Sequence, residues 1–111
     1  IQIIRQATRL DGTITLPGDK SISQRAILLN SIASGSAHVS NLCPGDDRTS
    51  ILSCMTSLGV VIRPHSNCEQ TGAGECFLVE GRGPDGLSEP DTVLDASNSG
   101  TTARLVAGLL A

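Results

Sequence analysis

Lys20 is the only lysine of the chain, and it stands in Leu16-Pro17-Gly18-Asp19-Lys20-Ser21, where an extended pattern gives way to a helical one. A cation at a helix N-terminus is disfavoured by about 0.3–1 kcal/mol, because the unsatisfied amides there already carry partial positive charge. Arg25 falls in the first turn or just beyond it, and Arg104 repeats the arrangement at a later helix start. Amides and cations gathered in this way suit an anion, a phosphate or a carboxylate. Each cation alone is equally well explained as a solvated side chain, since exposure there costs so little. Three at two helix starts are less easily dismissed.

Other polar groups offer chemistry with a plainer reading beside it. Asn98-Ser99-Gly100-Thr101 brings two hydroxyls, an amide and a glycine to a helix start, suited to hydrogen-bonding a polar ligand but also to capping. Asp46 and Asp47 could act as an acid-base pair, yet two acids before a helix more often serve its dipole. His65, beside Pro64, is expected in a solvated loop, and Met55 in the core. The Lys20 segment is not a P-loop, because Asp19 and not glycine precedes the lysine.

The elements that must position these residues follow from periodicity. Two strands over 3–8 and 13–16 are predicted around Asp11-Gly12, a dipeptide that accommodates the positive φ of tight hairpins. From Ser21 the period changes to about 3.6, with Ile22, Ala26, Leu29 and Ala33 on one face, and Ser21 with Gln24 has the form of a capping box. Gly35 is placed where a left-handed C-cap would sit. A strand over 38–42 precedes a second helix, capped by Asp46 or Asp47, with Ile51, Met55 and Leu58 inward and Gly59 as its stop. Strands are predicted over 60–63 and 76–80, separated by a polar loop over 65–74, with a brief one at Val93 and Leu94. A third helix then carries Ala103, Ala107 and Leu110 on one face. Strand, helix, strand, helix, strand, strand, helix is a mixed α/β order.

Composition narrows the classes of function. With 111 residues there is room for one small domain. Hydrophobic residues make up 39%, and no apolar run approaches the roughly 20 residues of a membrane-spanning helix. Eight Lys plus Arg against eleven Asp plus Glu leave a net charge of −3, and Phe77 is the only aromatic residue. The chain therefore lacks both the basic surface and the stacking platforms of a nucleic-acid binder. Cys43, Cys54, Cys68 and Cys76 form no C-x-x-C, and neither they nor His38 and His65 have zinc-site spacing, so free thiols, no metal and a reducing cytoplasm are expected.

The segment Leu16-Pro17-Gly18-Asp19-Lys20-Ser21-Ile22-Ser23-Gln24-Arg25 resembles the first signature of the 5-enolpyruvylshikimate-3-phosphate synthase family. Leu94-Asp95-Ala96-Ser97-Asn98-Ser99-Gly100-Thr101-Thr102-Ala103-Arg104-Leu105 is similar to a second signature, Asn-x-Gly-Thr-x-x-Arg, at a family-like separation. Asp11-Gly12, Asp47, Gly81-x-Gly83, Leu87 and Pro90 fit the same pattern. The resemblance implies transfer of the enolpyruvyl group of phosphoenolpyruvate to the 5-hydroxyl of shikimate 3-phosphate, with release of phosphate and without a cofactor. It implies that Lys20 contacts both substrates and is the catalytic residue of this segment, that Ser21 and Arg25 hold shikimate 3-phosphate, and that Asn98, Gly100 and Thr101 line the phosphoenolpyruvate side, where glyphosate also binds in sensitive members. Asp47 and Arg104 are further candidates. Cations and helix-start amides would neutralise the anionic groups while a tetrahedral adduct forms and collapses.

Family members are about four times longer, with two lobes of three βαβαββ units each, an inside-out α/β barrel. The resemblance thus implies that 1–111 is an N-terminal fragment: opening strands in 1–16, then about the first half of one lobe in 17–111. The chain starts without methionine and ends inside an apolar run, and the isolated chain is expected to be inactive because closure and proton transfer need residues beyond it. Full-length members are expected to be monomers, with the two small molecules as partners and neither nucleic acid nor membrane. Ser97 stands where the family usually has glycine, which puts the turn before Asn98 in question. A rival within the fold is UDP-N-acetylglucosamine enolpyruvyl transferase, whose signature has Lys-Asn where this chain has Lys20-Ser21. A rival of another class is a non-catalytic module that binds phosphorylated metabolites.

Overall fold

A computed structural model of the chain describes residues 2–4, 6–66 and 75–111. The described elements are α1 (Lys20–Ile32), β1 (Ser34–Ser40), α2 (Asp46–Ser57), β2 (Val61–His65), β3 (Cys76–Arg82) and α3 (Gly100–Leu110). The sheet has the order β1-β3-β2, with both outer strands antiparallel to β3 and therefore parallel to each other. Helix α2 makes the crossover between β1 and β2, and the architecture is the mixed α/β layer expected from the element order.

Strand alternation puts Ala37, Val39, Phe77, Val79, Ile62 and Pro64 on one face, in register across the three strands. The helices cover that face: Val39 and Val79 share a core with Ile27 and Leu28 of α1, Ile51 and Met55 of α2 and Val106 of α3. Each such fully buried side chain contributes about 1.5–3 kcal/mol. The opposite face is polar, with Arg63 ion-paired to Glu80 and the rings of His38 and His65 4.5 Å apart. His65 is thus a half-buried strand residue and not a loop residue.

Helix α1 passes into β1 without a loop. Its C-terminus lies against β3 at Gly81, where a Cβ would come within 2.2 Å of the Ala33 carbonyl oxygen and 2.5 Å of that of Asn30. The Gly83 N–H donates to the same Ala33 oxygen at 3.0 Å. Gly35 keeps the left-handed φ, at 95°, but lies inside β1, and Ala33 is the C-cap.

Several expectations need correction. Residues 2–4 and 6–16 form no strand, although the expected hairpin needs them as two; Arg5, within the first, lies outside the described residues. Ile3, Ile4, Leu10, Ile14 and Leu16 are exposed instead, and the segment pairs with neither edge strand of the sheet. Val93 and Leu94 form no strand either. On α1 the buried face is Ser23, Gln24, Ile27, Leu28 and Ser31, while Ile22 and Leu29 are exposed. The polar residues tolerate burial because Ser31 donates back to the Ile27 carbonyl at 2.7 Å and Ser23 to that of Asp19 at 2.6 Å. On α3, Thr102 and Val106 face inward, and Ala103, Ala107 and Leu110 face out. The Ile51, Met55 and Leu58 face of α2 and its stop at Gly59 are as expected.

Cys43 and Cys54 are free, but Cys76 is disulfide-bonded, contrary to the expectation of free thiols. A bridge depends on separation in space and not on a C-x-x-C spacing, which is why the sequence pattern missed it. Cys68 and the part of the predicted loop over 67–74 lie outside the described residues.

Candidate functional site

Helix α1 begins at Lys20 because Asp19 caps it, its Oδ1 accepting from the Ile22 N–H at 2.7 Å. The capping box expected of Ser21 and Gln24 does not form: Ser21 is exposed, and Gln24 is wholly buried with its amide turned to α3. Helix α2 starts after Gly45, whose φ of 126° occupies the cap position, so Asp46 and Asp47 lie in the first turn and do not cap. Helix α3 starts after Ser99, whose hydroxyl accepts from the Thr102 N–H at 3.3 Å.

These three helix starts converge. A cavity of about 170 Å³ lies between them, lined by Lys20, Asp46, Asp47, Ser50, Asn98 and Ser99. Lys20 Nζ meets Asp47 Oδ2 at 2.6 Å. This bond, first, and the Ser99 hydroxyl beside it, second, hold the Asp47 carboxyl below the usual carboxylate range against a smaller opposing effect of desolvation. The pair also explains how a cation is tolerated at the start of α1: the carboxylate from the neighbouring helix offsets the dipole. A bound anion is therefore not needed to account for Lys20.

Of the residues singled out in the sequence, Lys20, Asn98, Ser99, Asp46 and Asp47 line this cavity together. Ser21 and Arg25 are exposed, and among the described residues neither Arg25 nor Arg104 makes an ion pair. Gly100 is exposed and Thr101 half-buried at the start of α3. The Arg104 guanidinium folds back over that start, since a Cβ on Gly100 would lie 3.2 Å from Arg104 Nη1. Sequence reasoning missed Ser50 as a lining residue; Asp46 was weighed only as one of a carboxylate pair and Ser99 only as part of a polar helix start.

Ser97 takes a φ of 48°, the left-handed conformation that glycine adopts without strain. Its N–H donates to Asp95 Oδ1 at 2.7 Å, a local bond that steadies the turn. The turn before Asn98 thus keeps a positive φ despite the serine, at a cost of about 1–2 kcal/mol.

What the convergence can do is bind an anion. Each helix start supplies unpaired amides and about half a unit of positive charge. Lys20 can exchange Asp47 for an anionic ligand group, with Asn98 and Ser99 hydrogen-bonding its periphery. Among the described residues no group of three His, Cys, Asp or Glu could hold a metal ion.

The arrangement can be compared with known proteins. The family model described as EPSP synthase (3-phosphoshikimate 1-carboxyvinyltransferase) matches residues 4–111. A 3-phosphoshikimate 1-carboxyvinyltransferase of Chloroflexus aurantiacus is 52% identical over 103 residues, covering 93% of this chain and 22% of that protein. One from Geobacillus kaustophilus is 46% identical over 111 residues, covering 100% of this chain and 24% of that protein. Among solved structures, EPSP synthase from Acinetobacter baumannii superimposes with a TM-score of 0.74 at 38% identity, over 89% of this chain and 21% of that one. The chain thus spans less than a quarter of the length of these relatives. With nearly every residue inside the match, and both signature segments at the converging helix starts, the chain belongs to the EPSP synthase family.

Proposed function

We propose that the protein contributes half of a substrate site for transfer of the enolpyruvyl group of phosphoenolpyruvate to the 5-hydroxyl of shikimate 3-phosphate. The observation that carries this reading is the convergence of three helix starts on the Lys20–Asp47 pair, with Asn98 and Ser99 completing the cavity wall. Both substrates are anions, and the amides of three helix starts meet Lys20 here. Lys20 reaches both substrates and is the catalytic residue here. Ser21 and Arg25, exposed on α1, hold shikimate 3-phosphate, while Asn98, Gly100 and Thr101 hold phosphoenolpyruvate, with Arg104 available above Gly100.

In this reading residues 1–111 are the opening part of a two-lobe monomeric enzyme, 17–111 forming about half of one lobe, and the chain alone does not turn over. It operates in the cytoplasm, since phosphorylated substrates do not cross membranes unaided. Among the described residues no helix is long and apolar enough to span one. The disulfide at Cys76 is the observation that bears against a reducing compartment.

An amide NMR titration of the chain with shikimate 3-phosphate tests the reading, with UDP-N-acetylglucosamine and Lys20→Ala as controls. Saturable shifts at Lys20, Arg25 and Asn98 for the shikimate ligand alone, abolished in Lys20→Ala, are expected. Equal response to the nucleotide sugar, or binding unchanged in Lys20→Ala, would overturn it.

A further inference from the structure

His38 and His65 lie on the face of the sheet turned away from the helices, and the substrate-site reading uses neither. They belong to the two outer strands, β1 and β2, which β3 separates by about 10 Å. In register His38 stands opposite Leu78 and His65 opposite Cys76, one two-residue step away along β3. Rings only 4.5 Å apart must therefore both lean inward over β3. The space is open to them because Arg63, the direct neighbour of Leu78 on β2, is drawn to Glu80 instead. That ion pair also neutralises the nearest cation.

Among the described residues, neither imidazole has a hydrogen-bond or ion-pair partner; the contact between the two rings is what the structure gives them. A neutral imidazole keeps one nitrogen lone pair in the plane of its ring and is the commonest metal ligand. The rings are tilted by 59° and not stacked, so the two lone pairs can be aimed at one point. With a metal–nitrogen distance of about 2.1 Å, an ion sits about 3.2 Å from the centroid of each ring that ligates it. Two centroids 4.5 Å apart then subtend about 90° at the ion, the cis angle of a tetragonal or octahedral centre. A tetrahedral centre would set the centroids about 5.2 Å apart.

We propose that His38 and His65 form a two-histidine site for a divalent late transition metal, Cu²⁺ or Ni²⁺ ahead of Zn²⁺, that clips β1 to β2 across β3. One ring nitrogen from each holds the ion, and water completes its coordination; among the described residues no group of three His, Cys, Asp or Glu could do so alone. Motif spacing misses such a site, because it describes ligands close together in sequence, whereas here the register of a sheet brings two strands' side chains together. Binding to the folded sheet stabilises it by mass action. The site is independent of the substrate reading, since it lies across the sheet from α1 and the Lys20 cavity.

The test uses the metal ions alone on the whole 111-residue chain. Paramagnetic Cu²⁺ below one equivalent is expected to broaden the amide signals of His38, His65 and Leu78 first and to leave those of Lys20 and Asn98 sharp. Ni²⁺ is expected to raise the thermal midpoint, and Zn²⁺ to raise it less. His38→Gln and His65→Gln are each expected to weaken Ni²⁺ binding at least about tenfold in calorimetry and to remove that rise. Cys43→Ser, which removes the half-buried free thiol, is expected to bind as the parent does. Broadening centred on Cys43 or on the Lys20 cavity, affinity retained in either histidine variant, a Zn²⁺ response exceeding that to Ni²⁺, or no saturable binding by the parent would overturn the proposal.

Discussion

Asp47 shows how one contact sets the character of a site. The Lys20 ammonium favours its ionised form, so its carboxyl is expected to titrate below its ordinary value of 3.8. A carboxylate with a depressed folded-state pKa contributes stability that is fully present above the unfolded value and is lost as pH falls through the folded one. The Lys20–Asp47 pair should therefore persist below pH 3.8 and dissolve only on further acidification. Lys20→Ala removes the largest cause, and carbon-detected titration should find the Asp47 midpoint moved up toward 3.8; a midpoint that stays depressed would show that Lys20 is not what lowers it. The type and helix-start position of Lys20 were legible in the sequence, but its partner was not. Nothing in a spacing of 27 residues says that two helix starts will meet, and the unusual cation pointed to an anion without specifying whether protein or ligand would supply it.

At the scale of elements, the sequence read types and order well and faces less well. Gly59 stops α2 and its apolar stripe faces the core, because Ile51, Met55 and Leu58 have no competing stripe. In α1 apolar residues occur on two adjacent arcs, and serines that satisfy themselves against the preceding turn let the more polar arc go inside. The capping pattern of Ser21 and Gln24 competed with Asp19, whose carboxylate caps the Ile22 amide two residues earlier. The α1–β3 contact offers a direct test, since Gly81 is required for space and not for a positive φ. A methyl group there would meet backbone oxygens of Ala33 and Asn30, which cannot rotate away. Gly81→Ala is expected to cost about 1–3 kcal/mol. That should lower the thermal midpoint by about 4–8 °C for each kcal/mol lost, read by circular dichroism. A midpoint equal to that of the parent would mean that α1 does not pack so closely on β3.

For the whole molecule, the radius of gyration is 17.5 Å, against about 13 Å for a compact chain of this length. The excess reflects residues 2–4 and 6–16, which run outside the layers and leave Ile4 93% and Leu10 91% exposed. Because these side chains bury nothing in this chain, removing residues 1–13 should leave the thermal midpoint within about 2 °C. It should also reduce any concentration-dependent growth in size seen by light scattering, since exposed apolar side chains such as Ile4 and Leu10 favour association. A large loss of stability would instead place that segment against the core.

By itself the sequence determined the mixed α/β class, the order of the three helices and of the three strands between them, the inward stripe of α2 and, through two signature segments, the family. These are properties of periodicity, turn chemistry and local spacing, all of which act over a few residues. Only the tertiary structure decided which arcs of α1 and α3 go inside, that Asp47 holds Lys20, that Gln24 ties α1 to Ser99 and Thr102, and that the opening segment joins neither edge of the sheet. Each of these is a contact between residues distant along the chain, and its sign depends on which partner the fold delivers to within hydrogen-bonding or packing distance, a quantity that no local pattern encodes.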